Sequence, residues 1–152
     1  MKSLLLIPIT ICLMAVFVMQ SCSSNTTTPI EGTWRLAYEY EVRNGNSNCI
    51  FPGSSKGSEL KMWTGNRWSL VGVFIEDSVM TDNYAGGTFT LKGNDYREMV
   101  EFHSAPEYLG QTVRLYLEIR EDTLIQIWPV NEEGEPDPEH HYMEKWVRLH
   151  QQ

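Results

Sequence analysis

Residues 31–42 constrain the fold of this chain more than any other stretch. Aromatic and apolar residues recur there at every second position, while mainly polar residues lie between them; the recurring positions are Trp34, Leu36, Tyr38, Tyr40 and Val42. Successive side chains of a β-strand point to opposite faces, so a period of two is typical of a strand with one buried face. We therefore predict a first strand over residues 33–43, with these five side chains on its inner face.

The rest of the chain predicts antiparallel partners for this strand. Short apolar segments alternate with turns rich in Gly, Asn and Asp, and the eight predicted strands cover residues 33–43, 59–63, 67–76, 88–91, 96–103, 112–120, 123–130 and 142–149. Residues 104–110 are predicted as one helical turn that Ser104 caps and Gly110 ends. No stretch has a long helical period. We predict an all-β fold, an eight-stranded antiparallel up-and-down barrel with room for side chains or one small ligand.

Three segments between these strands are predicted to be irregular. They are residues 44–58, 77–87 and 131–140. Ile50 and Phe51 give the first of them an apolar tip, which either folds over a cavity mouth or lies against the barrel rim. Gly86 and Gly87 end the second, where their missing side chains permit close backbone approach or a bend.

The N-terminus predicts export. Lys2 precedes an apolar stretch over residues 4–19, which at sixteen residues is short for a membrane span and is typical of a signal peptide. Residues 19–22, Met-Gln-Ser-Cys, resemble a bacterial lipobox, which implies a lipoprotein signal peptide over residues 1–21 and acylation of Cys22. Without acylation the protein would be secreted, or less plausibly held by an uncleaved anchor.

The polar residues 22–29 predict a flexible tether between the lipid and the folded domain, residues 30–152. Ser23 resembles the residue found after the cysteine in lipoproteins sorted to the outer membrane, and no acidic surface-export run follows. The implied partner is the membrane, and the implied location is an outer membrane lipoprotein facing the periplasm.

The charge excludes a nucleic-acid partner. The chain has 12 basic and 20 acidic residues, and removal of Lys2 with the signal leaves 11 basic residues and a net charge of −9. The basic residues are scattered singly rather than gathered in a stripe with aromatics, which binding to a polyanion would need.

Two ends of the domain together resemble the lipocalins. Gly32-Thr33-Trp34 is similar to their Gly-x-Trp motif, and Arg148 lies on the last strand, where lipocalins place an arginine across that tryptophan. Residues 86–96 (GGTFTLKGNDY) and 144–149 (EKWVRL) resemble a lipocalin-like domain of unknown function found in lipoproteins of Gram-negative bacteria. The resemblance spans about residues 30–150 and implies a barrel floor formed by Trp34 and Arg148.

Side chains on the predicted inner faces define a candidate ligand cup. We assign to it Tyr38, Tyr40, Trp68, Tyr96, Glu98 and Trp146, an aromatic lining with few polar groups, as small-molecule sites have. Phe102 is predicted to point inward with Tyr96 and Glu98. The alternative is an ordinary aromatic core in which Glu98 or Glu144 neutralises Arg148.

Catalytic and metal-site motifs are lacking in the sequence. We find no nucleophile elbow, HExxH sequence, phosphate-binding glycine loop or Cys/His pair with an orienting group. His103, on the predicted outer face, is a lone candidate, and the acidic segment before His140 and His141 lacks the spacing of a metal loop. We therefore expect no enzyme activity, no metal and no cofactor.

Two functions are consistent with these features. One is a membrane-anchored barrel that binds a small, partly apolar, hydrophobic or amphipathic molecule in its cup. The other is an interaction module with a packed interior that docks another envelope protein.

The lipobox resemblance predicts the behaviour of a Cys22→Ala variant. Without the acylated thiol the protein should leave the membrane fraction, which immunoblotting of separated membrane and soluble fractions would detect. A variant that fractionates with membranes as the parent does would contradict acylation of Cys22.

Overall fold

Antiparallel β-strands make up most of residues 28–150, the part of the chain that the computed structural model describes. In this part nine strands and one short 3-10 helix, Pro106–Tyr108, follow in chain order. The strands are β1 (Gly32–Arg43), β2 (Asn46–Phe51), β3 (Lys56–Thr64), β4 (Arg67–Glu76), β5 (Val79–Lys92), β6 (Asp95–His103), β7 (Thr112–Arg120), β8 (Thr123–Trp128) and β9 (His140–Leu149).

The sheet closes on itself as an eight-stranded barrel. From β3 onward each strand pairs with the next, and β9 returns to pair with β1. Both β2 and β3 pair with the same edge of β1, β2 along its second half and β3 along its first, so together they occupy one barrel position. The predicted fold class, an all-β, eight-stranded antiparallel barrel with one helical turn, is confirmed.

The prediction that residues 44–58 are wholly irregular is wrong. Asn44 and Gly45, with φ angles of 50° and 76°, form the tight turn into β2. Phe51 at the end of β2 is buried, and its ring packs edge-to-face on Phe74 with centroids 5.8 Å apart. Pairing with β1 thus orders a stretch whose Asn, Ser and Gly content favours a loop.

The prediction that residues 77–87 are irregular is also wrong, because most of them belong to β5. Asp77 and Ser78 form the turn from β4, with φ angles of 47° and 68°, but lack the glycine that usually marks such a turn. The expected close backbone approach does occur at the glycines. A Cβ atom on Gly87 would lie 1.9 Å from the carbonyl oxygen of Met99, and one on Gly86 would lie 2.3 Å from the Phe102 ring.

Two β-bulges reverse which residues face the interior. Leu36 pairs with Trp146 and Tyr38 with Lys145, so Ala37 is an extra residue in β1; Glu101 is an extra residue in β6. One extra residue shifts the inward–outward alternation of side chains by one position. Residues beyond the bulge therefore point to the opposite face from the one that a regular strand would give them. Tyr38 and Phe102 consequently lie outside, 43% and 47% exposed, and their predicted inward orientation is wrong.

The interior is densely packed at the end where β1 begins. Trp34, Trp63, Tyr96 and Trp146 are at most 1% exposed there. The Trp34 indole N–H donates to the Ile30 carbonyl at 2.9 Å, and its ring meets Trp63 edge-to-face at 6.5 Å. This end of the barrel is therefore a closed floor, and the chain enters the barrel beside it.

The opposite end carries the β1–β2 and β4–β5 turns, the 3-10 helix and the loop 129–139. Within residues 28–150, no helix is long and apolar enough to cross a membrane. The predicted signal peptide over 1–21, Cys22 and most of the predicted tether lie outside the described residues.

Trp34→Ala should lower the free energy of unfolding by about 3–5 kcal/mol, because it opens a cavity in the packed floor. The matched control is Tyr38→Ala on the outer face of the same strand, which should cost about 1 kcal/mol or less. Denaturant unfolding followed by tryptophan fluorescence measures both. Similar losses in the two variants would contradict the assigned register.

Candidate functional site

A cavity of about 250 Å³ lies in the half of the barrel away from the floor, and we call it the cup. Its apolar wall includes aromatic side chains from several strands and from the 3-10 helix; it consists of Trp68, Leu70, Phe74, Ala85, Val100, Tyr108, Val113, Leu115 and Trp128. Its polar lining consists of Glu39, Glu59, Lys61, Asn83, Glu98, His103 and Glu144. The barrel thus combines a filled floor with a cup above it.

The structure separates the six predicted cup residues into three groups. Trp68 and Glu98 line the cup. Tyr96 and Trp146 are fully buried and belong to the packed floor. Tyr38 and Tyr40 stack on each other with centroids 6.1 Å apart and do not line the cup, because the bulge at Ala37 turns this part of β1 over.

Trp34 and Arg148 face each other as cross-strand partners on β1 and β9. The Arg148 guanidinium carbon lies 4.1 Å from the centre of the Trp34 ring, a cation–π contact. Its two terminal nitrogens donate to the carbonyl oxygens of Glu31 and Pro29, each at 2.6 Å. Arg148 therefore fastens the entering chain to the floor and leaves the carboxylates of the cup to other partners.

Glu98 is neutralised by Lys61, so the alternative in which it pairs with Arg148 is wrong. Lys61 Nζ lies 2.7 Å from Glu98 Oε1 and donates to Gln126 Oε1 at 3.1 Å, with both charged side chains less than 10% exposed. The ammonium also lies 5.0 Å from the centre of the Trp68 ring. Tyr96 donates to Glu98 at 2.8 Å. A buried ion pair needs such additional partners, and this one has them on both sides.

The other three carboxyl groups of the cup lack such a partner. Within residues 28–150, no lysine, arginine or histidine nitrogen lies within 4.0 Å of the carboxylate oxygens of Glu39, Glu59 or Glu144. Glu39 and Glu144 are direct cross-strand partners, so their side chains leave neighbouring positions on the same face. The carboxylates of Glu39 and Glu144 therefore repel each other in this wall of the cup.

Neutral donors hold two of these carboxyl groups in place. Glu59 is 4% exposed and accepts a 2.6 Å hydrogen bond from the Asn83 side chain. Glu144 accepts from the indole N–H groups of Trp128 at 3.2 Å and Trp146 at 3.0 Å. These bonds orient the carboxyls without cancelling their charge.

Burial and repulsion raise the pKa of all three groups. Burial, with the nearby charge of Glu144 second, raises the pKa of Glu39 to about 7. Burial and then Glu144 likewise raise the pKa of Glu59 to about 8, although the Asn83 hydrogen bond opposes the shift. Burial also raises the pKa of Glu144 itself. The cup therefore holds protons at neutral pH and gains negative charge as the pH rises toward 8.

His103 lies at the mouth of the cup rather than on the outer face, because the bulge at Glu101 turns it inward. Its Nδ1 accepts a 2.8 Å hydrogen bond from the Ala105 backbone N–H, and its ring packs on Tyr108 with centroids 4.7 Å apart. Burial lowers the pKa of His103, so the imidazole is neutral at pH 7. The predicted cap of the helical turn is absent, since Ser104 donates to Asn83 instead.

The sequence carried some signals for the residues that the predictions missed. Trp63 pairs with Trp68 across a short turn, so an inward Trp68 implies that Trp63, Lys61 and Glu59 also face inward. Ala37 interrupts the polar positions of the first strand, where the bulge lies. Glu101 in β6 carries no comparable signal.

The cup has the composition of a binding site, with aromatic walls and a few oriented polar groups. In the described part of the chain, no three or more His, Cys, Asp and Glu side chains are grouped as a metal site would require. No protein-family model matches this chain, and no curated protein matches it. The barrel itself is compatible with a lipocalin-like fold.

The raised pKa of Glu59 predicts how stability depends on pH. The folded protein keeps a proton that an ordinary unfolded carboxyl, with a pKa near 4.5, releases, so unfolding free energy should fall as pH rises from about 4.5 to about 8. Glu59→Gln removes this contribution, and at pH 8.5 the variant should be more stable than the parent by roughly 5 kcal/mol, the equivalent of the shift in pKa.

Denaturant unfolding at pH 5 and pH 8.5 measures the effect. Glu76→Gln is the matched control, because Glu76 is exposed at the end of β4. It should leave the pH dependence as in the parent. The same pH dependence in the Glu59→Gln variant and the parent would contradict the assigned environment.

Proposed function

We propose that this protein is an outer membrane lipoprotein whose lipocalin-like barrel binds a small, partly apolar molecule in the cup, for carriage or sensing and without catalysis. The observation that supports this most is the cup itself. Its walls are aromatic and aliphatic, most of its polar groups are oriented by hydrogen bonds or by the Lys61–Glu98 ion pair, and the packed floor closes it below. This is the usual make-up of a small-molecule site.

The size of the cup favours a small ligand. Its volume of about 250 Å³ is just below the range of roughly 300–1,000 Å³ that is common for drug-sized ligands. Trp68 and Trp128 offer flat apolar surfaces to such a molecule. Its polar part would meet the carboxyls of Glu59 and Glu144 and the amide of Asn83.

The proposed anchor would set the orientation of the barrel. Arg148 holds Pro29 and Glu31 against the floor, so the chain leaves the barrel at its closed end. If Cys22 carries the lipid, the floor would face the membrane across a tether with a root-mean-square reach of roughly 15 Å. The cup would then open away from the lipid and exchange its ligand with the periplasm, or with the medium if the protein is secreted without a lipid.

The alternative function is a module that docks another envelope protein. It is favoured by exposed apolar side chains on the β4–β5 hairpin, where Ile75, Val79 and Met80 are 43%, 64% and 69% exposed. Exposed apolar patches often mark interaction sites. The carrier is favoured over the docking module because the side chains that fill the floor do not fill the cup.

Filling the cup should abolish ligand binding. Val113 is a half-buried residue of the wall on β7, and Val113→Phe should lower the fraction of protein that co-purifies with a ligand at least tenfold by occupying its space. Val71→Phe is the matched control, because Val71 is 50% exposed on β4 and does not line the cup.

The measurement is native mass spectrometry of protein purified from the envelope of the cell that makes it. The parent and the Val71→Phe variant should carry the same added mass. A ligand retained by the Val113→Phe variant would contradict binding in the cup, and no ligand in any sample would favour the docking module.

A further inference from the structure

Four strands bring ionisable side chains into the cup, and the acidic side chains outnumber the basic ones. β1 supplies Glu39 and β9 supplies Glu144, whereas β3 and β6 supply two groups each: Glu59 with Lys61, and Glu98 with His103. Lys61 and Glu98 neutralise each other at 2.7 Å. The remaining titratable groups of the lining are His103 and Tyr108, neither of which brings a positive charge at neutral pH.

Glu59 is the most buried of the three carboxyls left without a cation. It is 96% buried, it faces the cup, and its one hydrogen-bond donor within residues 28–150 is the neutral amide of Asn83. A carboxylate removed from water is unfavourable unless a positive charge or several donors replace its hydration. The positive charge of the lining, Lys61, already pairs with Glu98 at 2.7 Å and acts on Glu59 only from a distance. Glu59 therefore has unused capacity to bind a cation.

The aromatic wall beside these carboxyls is suited to the same kind of group. Trp128 donates its indole N–H to Glu144 and stacks on Tyr142 with ring centroids 4.5 Å apart, which fixes an indole next to a carboxylate. The electron-rich face of an indole attracts cations. Lys61 already uses this property, since its ammonium lies 5.0 Å from the centre of the Trp68 ring in the same wall.

We propose that the cup is selective for a small organic cation, an amine or quaternary ammonium compound with an apolar part, whose positive charge lies among Glu39, Glu59 and Glu144. This inference rests on the proposed function and specifies its ligand class. The apolar part would pack against Trp68 and Trp128.

Binding of such a cation would be linked to the release of protons. Glu39 and Glu59, with pKa values of about 7 and about 8, are largely protonated at pH 6. A bound cation favours their charged forms, so its affinity should rise between pH 6 and pH 8.5. Benzyltrimethylammonium is a suitable probe because it has no titratable proton of its own.

The test compares three probes of similar shape and different charge, phenethylammonium, 2-phenylethanol and 3-phenylpropanoate. Purified full-length protein in a nonionic detergent is titrated with each at pH 7.5 by isothermal calorimetry. Phenethylammonium should bind at least tenfold more tightly than the alcohol, and the carboxylate more weakly than either. Benzyltrimethylammonium should bind about tenfold more tightly at pH 8.5 than at pH 6.

Conservative variants test which carboxyl groups are responsible for the cation selectivity. Glu59→Gln and Glu144→Gln should each lower the affinity for the ammonium probe about tenfold and that for 2-phenylethanol by about twofold at most, since shape and apolar lining are preserved and the amide still hydrogen-bonds a hydroxyl. Glu76→Gln on the exposed end of β4 is the control and should change neither affinity. A variant that weakens both probes equally would indicate damage to the cup and would contradict a charge-specific role.

The outcomes separate this inference from the function on which it rests. Equal binding of the ammonium and the alcohol, or tighter binding of 3-phenylpropanoate, would overturn cation selectivity while supporting the carrier. Failure of all probes to bind at millimolar concentration would overturn cation selectivity. If native mass spectrometry still detected a bound ligand, the proposed carrier function would stand. If it detected none, the carrier function would be overturned as well.

Discussion

Pairing between the first and last strands is the interaction on which the rest of the structure depends. The β1–β9 ladder turns an open meander into a barrel and so removes the exposed edges that a sheet would otherwise present. Trp34 and Arg148 lie face to face within this ladder, and Arg148 also holds the carbonyls of Pro29 and Glu31. The β1–β9 ladder thus closes the sheet, and the Trp34–Arg148 pair within it packs the floor and fixes where the chain enters.

The closed sheet divides its interior into two parts of different character. Near the floor, tryptophan and tyrosine rings fill the space at close to zero exposure. Above them, the ion pair between Lys61 and Glu98 joins β3 to β6 across the interior. The hydroxyl of Tyr96 donates to Glu98 from below and so links the ion pair to the packed floor. The cup begins at this boundary, where polar contacts replace aromatic packing.

Two bulges create the chemistry of the cup. A regular β1 would turn Tyr38 inward, and a regular β6 would do the same with Phe102; the extra residues Ala37 and Glu101 replace them with Glu39 and His103. A carboxyl group and an imidazole thereby occupy positions where two aromatic rings would otherwise lie. Buried carboxyls with raised pKa values oppose folding as the pH rises, and groups of this kind are concentrated at functional sites in proteins.

The sequence alone determined the all-β class and the closed barrel, because local alternation and turn chemistry act over a few residues. The meeting of Trp34 with Arg148 was implied by the resemblance to the lipocalins, and the structure places the two as cross-strand partners. The sequence also identified Trp68 and Glu98 as residues of the interior. It did not identify the strands in 44–58 and 77–87, since hairpin pairing with the adjacent strands β1 and β4 overrides a loop-like composition there. Nor could it determine which residues face inward beyond each bulge. The extra residue of a bulge is recognised only from the register in which the neighbouring strand pairs. Only the tertiary structure therefore decided that Glu39 and His103, rather than Tyr38 and Phe102, line the cup.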